Sequence, residues 1–575
     1  MTDARSVRLK HRIDFALVCA AILLLALQTW ARRNDMLPDG ISYIEIASAT
    51  AQHGFRNLVN AYWSPLYPAL LSVVFRLFHP SLYWEFTVVH LTNFAILLFN
   101  LACFRIFLNE VIAAQKIEQA AGSDRTPLSP SKMRNYGYAL FFWVNVVWLS
   151  AATVSPDLLV AAFAYLATAI LLRIYRGPGS TFLYAALGVV LGAAYLAKAA
   201  MFPLAFVFLA ASLFAGISPQ RSLRRAIPRT CLALVVFVIV AAPFISALFH
   251  SKHRFTFGDA GKIAYTEYVD GAPLSTHWQG EPAGTGIPVH PTRKILANPP
   301  VYEFSHPIPG SYPPWRDPSY WYEGVTPHFS IKGQARILWS GFGAYFKMFS
   351  RTGVLYIIFV ALLVSAPKTR WQFRAPAFWL ICLPSAAALL LYWFVHVEER
   401  YVGGFAFILL IWIFSSVRIA PHAPAPSASW KQCASLAITI APMLAFLCIA
   451  GRDALTLNHK NFTQWQVAQQ LHKLGVPAQS QVAYIGTGLD AYWAHLANVR
   501  IIAEIPERNI PDFLRADSAH QQQAFNAFAT SGAVATLTKN PAVANFTPGW
   551  QPIPDTPYYL RPALHDDPPR SLHAF

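Results

Sequence analysis

Long apolar runs recur along the sequence and constrain its fold more than any other feature. Each is close to the 20 or so residues that a helix needs to cross the hydrocarbon core of a bilayer. They cover the N-terminal stretch after Arg12 and roughly 84–107, 136–153, 157–175, 181–197, 199–217, 230–250, 353–367, 376–395, 403–418 and 433–451. Only 13% of the residues are charged, against about 25% in soluble proteins. The sequence therefore predicts an all-α polytopic membrane protein with about eleven transmembrane helices, and it excludes a soluble enzyme and an outer-membrane barrel.

Basic residues indicate which loops face the cytoplasm. The apolar run 65–78 is short, begins at SPLYP and ends near Arg76 and His79. If this run does not span, every predicted inside loop is basic, as the positive-inside rule requires. We therefore predict that 65–78 is a juxtamembrane amphipathic helix on the outer leaflet, that the first helix is uncleaved with a cytoplasmic N-terminus, and that the C-terminus lies outside. The formal net charge of +17 is then a topology signal, and no nucleic-acid partner is predicted.

Two long outside loops, 31–83 and 251–350, belong to the predicted transmembrane domain 1–451. The remaining segment, 452–575, has the polarity of a soluble protein. Its stretch TQWQVAQQLHKLGV predicts an amphipathic helix, and QVAYIG, RIIAEI and GAVATLT predict short strands. We expect a small C-terminal α/β extracytoplasmic domain.

Three ionisable residues stand at the predicted outer ends of helices. Asp39 lies in PDGISYIEIA and Asp157 in TVSPDLLVAAFAYL; either acid could serve as a helix N-cap or turn residue. The functional alternative is a pair of carboxylates that face one cavity, with Asp39 as a general base. Lys198, in AYLAKAAMFP, fits both a side chain that snorkels at a helix end and an anchor for an anionic headgroup.

A fourth group of ionisable residues lies in FVHVEERYV, between two predicted spans. The loop is too short to separate its side chains, which are His396, Glu398, Glu399, Arg400 and Tyr401. Arginine suits phosphate through its fork of donors, and a neighbouring glutamate can fix its orientation. His396 and Glu398 lack a third metal ligand at a telling spacing, so a divalent cation stays an open alternative and no other cofactor is expected.

Taken together, these segments resemble the C superfamily of glycosyltransferases, which use lipid-phosphate-linked sugars and include bacterial aminoarabinose transferases and protein O-mannosyltransferases. The likeness covers most of 1–420 and rests on PDGISYIEIA, SPLYPALLSVVFRLF, SPDLLVAAFAYL, GVVLGAAYLAKAAMFPL and EERY. It implies a multi-spanning bundle in which Asp39 is the catalytic base and Asp157 the second acid. It also implies that Lys198 and Arg400 hold the donor phosphate. The predicted supporting residues are Tyr43, His396, Glu398, Glu399 and Tyr401.

The sequence departs from this pattern after the first acid. Many relatives have DE or a basic residue there, whereas this chain has Gly40, Ile41 and Ser42. The acceptor type and any metal requirement are therefore left open by the resemblance.

The resemblance implies inverting transfer of a sugar from a polyprenyl-phosphate donor to a glycan, lipid or protein of the cell envelope, at the outer face of the membrane. The inside loops and the C-terminal segment carry no eukaryotic sorting signal, which favours a bacterial inner membrane. The aromatic-rich loop 251–350 would form an acceptor lid. One alternative is a transporter or flippase of lipid-linked sugars, but the ionisable residues gather at one face and not at the midplane. The other is a non-catalytic membrane protein that binds envelope glycans.

Overall fold

The computed structural model describes residues 18–120, 126–177, 180–217, 222–274, 277–351, 370–371, 376–419, 443–453, 455 and 463–563. The predicted span 353–367 and the basic N-terminal segment 1–12 lie outside these residues, as does the first part of the predicted span 433–451.

Helices dominate the chain up to residue 453. In order they are α1 (Val18–Ala31), α2 (Pro38–His53), α3 (Leu66–Phe78), α4 (Leu82–Ala120), α5 (Pro130–Val147), α6 (Asp157–Arg176), α7 (Thr181–Ala197), α8 (Met201–Gly216), α9 (Leu223–Lys252), α10 (Ala260–Tyr265), α11 (Pro313–Arg316), α12 (Pro318–Trp321), α13 (Ile331–Ser350), α14 (Pro376–Trp393), α15 (Glu399–Ser415) and α16 (443–453). A π-helical turn, Thr266–Asp270, follows α10 directly.

Three of the helices within the described residues, α4, α6 and α9, are long and apolar enough to cross a membrane. Helices α1, α7, α8 and α14 are apolar over shorter lengths. The predicted count of about eleven spans is therefore not confirmed, although the predicted helical bundle is. Helix α5 ends at Val147, before the end of its apolar run, because Ser150 begins a turn in which its carbonyl accepts from the amide of Thr153.

Helix α6 lies at the centre of the bundle and packs against α4, α7, α8 and α15. Most of its length is buried by apolar side chains. The predicted amphipathic segment is the helix α3, which buries Tyr67, Leu71 and Phe75 on one face and exposes Val73 and Leu77 on the other.

A small antiparallel sheet joins three of the loops that were predicted to lie on one side of the membrane. Its strands are β1 (Thr126–Pro127), β4 (Arg370–Trp371) and β5 (Val417–Ile419), with β5 in the middle. The backbone thus brings these loops together at the end of the bundle that is opposite to the predicted outer residues.

A seven-stranded sheet combines five strands of the C-terminal segment with two strands of the loop 251–350, in the order β2-β3-β7-β6-β8-β10-β9. Strand β6 runs parallel to β7 and β8, and the other pairs are antiparallel. The strands are β2 (Arg293–Leu296), β3 (Val301–Glu303), β6 (Gln481–Gly486), β7 (Arg500–Pro506), β8 (Ala535–Thr538), β9 (Gln551–Pro552) and β10 (Tyr559–Pro562). The helices of the C-terminal segment are α17 (Thr463–Lys473), α18 (Trp493–Leu496), α19 (Ile510–Arg515), α20 (Ser518–Thr530) and α21 (Pro541–Phe546).

The predicted helix and three predicted strands of the C-terminal segment are confirmed as α17, β6, β7 and β8. The sequence did not predict that the sheet extends into the loop 251–350, which we call the lid. Its hairpin β2–β3 adds to the edge strand β7 through pairs such as Tyr302 with Glu504. The described part of the C-terminal segment, 463–563, is called the tail below.

Candidate active site

Asp39 lies in the first turn of α2, directly after Pro38. Its side chain does not cap the helix, since the N-cap residue is Leu37; the N-cap alternative therefore does not apply. Its Oδ2 accepts a hydrogen bond of 2.6 Å from Nη2 of Arg400, and 30% of its side chain is exposed. A carboxylate at a helix N-terminus is favoured by the helix dipole, and this one remains accessible to a ligand.

Asp157 begins α6 and is buried, with 2% of its side chain exposed. It does not cap the helix either. Its Oδ1 accepts from Nζ of Lys198 at 2.6 Å, and its Oδ2 accepts from Oγ of Ser155 at 2.9 Å. A carboxylate this deeply buried requires such partners, and Lys198 provides the compensating charge.

Arg400 connects these groups. Its Nε donates to Oε2 of Glu398 at 2.6 Å, while its Nη2 reaches both Asp39 and the hydroxyl of Tyr401, the latter at 3.0 Å. The ring of Tyr401 lies 3.5 Å from Nζ of Lys198 and 4.8 Å from the guanidinium carbon, measured to the ring centroid. Both cations therefore contact one aromatic ring, and the structure brings together the four residues predicted to act on the donor and acceptor. We call Asp39, Asp157, Lys198 and Arg400 the outer-end cluster.

Close helix packing explains why α6 and α15 present Asp157 and Arg400 to each other. A Cβ placed on Gly404 would lie 2.7 Å from Cβ of Ala161, so the two helices touch where Gly404 has no side chain. Arg400 precedes Gly404 by one turn, and Asp157 precedes Ala161 by one turn. Residues four apart share a helix face, so this contact places the two charged side chains side by side at the outer end.

Gly40 allows the start of α2 to pack closely against the loop that precedes α6. A Cβ at Gly40 would lie 2.8 Å from Cβ of Val154. This contact accounts for glycine at the position where the resemblance leads one to expect an acidic or basic residue. A longer side chain there would separate Asp39 from Asp157.

Two of the predicted supporting residues, Tyr43 and His396, lie near the cluster. Tyr43 is buried and makes edge contacts with the rings of Trp63 and Tyr67 at 5.0 and 5.1 Å. His396 lies 3.3 Å from Oε1 of Glu398 through its Nε2, and its ring stacks at 4.0 Å on Tyr268 of the lid. The lid thus contacts the loop that carries Arg400.

Glu399 does not join the network around Asp39. Its carboxylate accepts from Nη1 of Arg351 at 2.7 and 3.0 Å, in a largely exposed pair. Glu398 is the N-cap residue of α15, with an extended backbone, whereas Glu399 is the first residue of the helix. Their side chains therefore point in different directions and have different partners.

The surroundings shift the pKa values of three groups near the cluster. Burial raises the pKa of Glu398, but hydrogen bonds from His396 and Arg400 outweigh it and lower the value to about 2. Burial lowers the pKa of Lys198, against the opposing effect of Asp157. Burial and the charge of Asp39 raise the pKa of the Tyr43 hydroxyl, which therefore stays protonated.

Three tryptophans of the lid have structural roles. Trp278, Trp315 and Trp321 are buried, and Nε1 of Trp315 donates to the carbonyl of Leu489 in the tail at 3.1 Å. These rings therefore form the lid's own core and its contact with the tail, and they are not exposed platforms for a sugar.

Sequence analysis missed Ser155 and Tyr268. Ser155 stands two residues before Asp157 in SPD, so its hydroxyl could have been expected to reach that carboxylate. Tyr268 lies in the π-helical turn Thr266–Asp270, and no sequence pattern indicated that this turn reaches the loop around His396.

The carboxylates of the outer-end cluster have cationic partners. Among the described residues, no three His, Cys, Asp or Glu side chains are grouped so that they could hold a metal ion. Asp39 and Asp157 are paired with cationic side chains instead. A divalent cation would have to displace these cationic partners, so the proposed mechanism assigns no step to one.

Comparison with known proteins shows the fold. No family model matches the sequence, and no curated protein matches it. The crystal structure of ArnT from Cupriavidus metallidurans in the apo state aligns with 95% of this chain and 98% of its own at 11% identity, with a TM-score of 0.50. The same protein bound to undecaprenyl phosphate aligns over 95% and 97% at 11% identity, also with a TM-score of 0.50. The chain therefore shares the fold of these ArnT structures, in agreement with the fold that the resemblance implies.

Proposed function

We propose that this protein is an integral-membrane glycosyltransferase that transfers a sugar from a polyprenyl-phosphate donor to a cell-envelope acceptor, with inversion at the anomeric carbon. The observation that carries the proposal is the outer-end cluster, in which two carboxylates and two cations from four separate segments meet at one end of the bundle. The fold supports it, since the structure of similar fold was solved with undecaprenyl phosphate.

Lys198 and Arg400 are the proposed phosphate ligands. Both already contact the ring of Tyr401, and Glu398 fixes the guanidinium plane through Nε. A phosphate near this ring would compete with Asp157 and Asp39 for the two cations. Charge-assisted hydrogen bonds from arginine and lysine to phosphate are strong, and they would stabilise polyprenyl phosphate as the leaving group.

Asp39 is the proposed general base. When phosphate draws Arg400 away from it, its carboxylate is free to accept a proton from the acceptor hydroxyl or amine. The acceptor oxygen or nitrogen then forms a bond to the anomeric carbon while the bond from that carbon to the phosphate oxygen breaks. The electron pair leaves with the phosphate. General-base catalysis of this kind contributes about 10²–10⁴-fold to a rate.

The proposed location of the active site rests on the predicted membrane topology. With the N-terminus in the cytoplasm, the outer-end cluster, the lid and the tail would face the extracytoplasmic side of a bacterial inner membrane. A polyprenyl tail can then remain in the bilayer while its phosphate and sugar reach the cluster. The acceptor would be a glycan, lipid or protein on that side.

The direct test incubates the purified protein in lipid nanodiscs with a panel of polyprenyl-phosphate sugars and candidate acceptors. We expect release of polyprenyl phosphate with formation of a glycosylated product, and a strong decrease in the Lys198→Ala variant. In sealed vesicles, movement of the donor lipid between leaflets without any product would contradict the proposal and favour a flippase. Acceptor-glycan binding without release of polyprenyl phosphate from any donor would favour a glycan-binding protein.

A further inference from the structure

A second charged cluster lies outside the active site and is almost completely buried. His495 of the tail stands between two carboxylates: its Nε2 is 2.7 Å from Oε2 of Glu85, and its Nδ1 is 3.4 Å from Oε1 of Glu45. The exposed fractions of the three residues are 8%, 5% and 5%. We call these three residues the outer joint.

The outer joint connects three parts of the chain that are far apart in sequence. His495 lies in α18, Glu85 in the first turn of α4, and Glu45 in the middle of α2. Glu45 follows Asp39 by six residues on the same helix, or about 9 Å along its axis. A side chain of the tail thus holds the helix that carries the proposed base.

Two residues of the lid donate hydrogen bonds to Glu45 of α2. The amide of Ser311 donates to Oε1 of Glu45 at 2.9 Å, and Nη1 of Arg316 donates to the carbonyl oxygen of Glu45 at 2.8 Å. The second carboxylate oxygen, Oε2, is buried without a hydrogen-bond partner among the described residues. The position of Glu45 is therefore fixed by its neighbours and not by solvent.

The lid is in turn attached to the tail by a second buried pair. Nε2 of His277 lies 2.5 Å from Oε1 of Glu504 in β7, and the hydroxyl of Tyr312 donates to the same oxygen at 3.0 Å. Strands β3 and β7 pair alongside this contact. Tail, lid and α2 therefore form one continuous packed unit.

We infer that the tail is a positioning element of the active site and that His495, by bridging Glu45 and Glu85, fixes α2 and so the location of Asp39. This inference rests on the proposed function of Asp39. Two carboxylates at these depths require a compensating cation. The contact of His495 with Glu85 reinforces the direct hydrogen bond from Oγ of Ser48 in α2 to Oε1 of Glu85 at 2.9 Å. Loss of the imidazolium would therefore weaken the connection between α2 and the first turn of α4. A displacement of about 1 Å at a reacting group can lower a rate by about 10²-fold.

The test compares His495→Gln and Glu85→Gln with His520→Gln. His520 is an exposed histidine of the tail that pairs with Asp517, so its replacement makes the same chemical change in the same domain. The Glu85→Gln variant removes one carboxylate from the joint and leaves His495 paired with Glu45, which keeps the test usable if His495→Gln does not fold.

Two readouts separate positioning from a general loss of folded protein. The first is the kcat per donor-binding molecule together with the donor KM, for which we expect kcat to fall by about tenfold or more with little change in KM, because α2 but not the phosphate ligands is displaced. The second is hydrogen–deuterium exchange of peptides within 38–53, which we expect to become faster in both joint variants and to remain unchanged in His520→Gln.

The inference is overturned if both joint variants, once corrected for the amount of folded protein, keep the kcat of the wild type, or if exchange within 38–53 does not respond. The exchange readout does not need activity. If the wild type transfers no sugar from any donor, faster exchange in the variants would still support the tail's hold on α2, while the proposed function alone would fail.

Discussion

The outer-end cluster and the outer joint both pair carboxylates with cationic side chains, but the Asp39–Arg400 pair of the cluster is more accessible than the joint. In the cluster, Asp39 keeps 30% of its side chain exposed while paired with Arg400. In the joint, His495 and Glu85 are both more than nine-tenths buried. An accessible ion pair is worth little by itself and can exchange one partner for a ligand. A buried pair is costly to break. This difference fits the proposed role of the cluster in binding and the proposed role of the joint in holding α2.

Among the substitutions that compare the two regions, the largest expected effect concerns binding at the cluster. Arg400→Ala removes the group that contacts Asp39, Glu398 and Tyr401 at once, and we expect kcat/KM for the donor to fall by about 10²–10³-fold, as for loss of one preorganised stabilising group. The free energy of unfolding should change little. Steady-state kinetics with donor in nanodiscs, together with thermal unfolding, measure both quantities. A large loss of stability would mean that Arg400 is a structural residue like those of the joint.

The joint should show the opposite pattern. His495→Gln leaves two buried carboxylates without their histidine partner, and we expect it to destabilise the protein by about 3 kcal/mol. Unfolding in a chemical denaturant measures the difference. A change below that found for the exposed His520→Gln would contradict the distinction between the two regions.

The pH dependence of the joint sharpens the same comparison. Burial lowers the pKa of His495, but the carboxylates that face it, Glu85 and Glu45, outweigh burial and raise the value to about 10. A histidine with a raised pKa stabilises the fold fully below its unfolded value near 6.5 and loses that contribution as the pH rises toward 10. The difference in stability between wild type and His495→Gln should therefore be largest below pH 6.5 and shrink toward pH 10. A difference that grows over this range would contradict the assignment.

The packing that forms the cluster can be tested at a glycine. Gly404→Ala would place a Cβ 2.7 Å from that of Ala161, so we expect a loss of about 1–3 kcal/mol from overpacking and slower transfer as Arg400 and Asp157 move apart. Gly343→Ala in α13 is the matched control, because a Cβ there would meet nothing within 4 Å. Alanine is the better helix former, so the control should be neutral or slightly stabilising. Equal effects of the two substitutions would refute the close contact.

The smallest expected effect distinguishes two adjacent acids. Glu398 orients Arg400, whereas Glu399 pairs with Arg351 at the surface. We expect Glu398→Gln to lower donor kcat/KM by about tenfold, since a hydrogen bond to a charged group is worth about 1.5–3 kcal/mol. The effect of Glu399→Gln should be clearly smaller. Reversal of this order would show that the loop adopts another arrangement during the reaction.

The sequence predicted the cluster better than the joint, for a physical reason. Asp39, Asp157, Lys198 and Arg400 stand at the ends of apolar runs, and helix ends that share one side of a membrane are forced to the same depth. The sequence therefore restricted where these residues could meet. Their actual contacts depend on Gly404 and Gly40, whose close approaches have no periodic signature.

The joint had no comparable signal. His495 lies 450 residues from Glu45 and 410 residues from Glu85, and no membrane depth fixes their relation. In the lid, RKILANPPVYE was not interpreted as a hairpin because its alternation is short and interrupted by two prolines. The helix α17 and the strands β6, β7 and β8 of the tail were predictable from local periodicity. The pairing of β7 with strand β3 of the lid was not.

The most direct test of the central claim is the Asp39→Asn variant in the donor-release assay, with Asp517→Asn on the surface of the tail as the matched control. Asparagine keeps the shape of the side chain but cannot accept the proton. The account predicts that Asp39→Asn still binds polyprenyl-phosphate sugar and remains folded, while transfer falls by about 10²–10⁴-fold and the control transfers like the wild type. Transfer at the wild-type rate by Asp39→Asn would contradict the account.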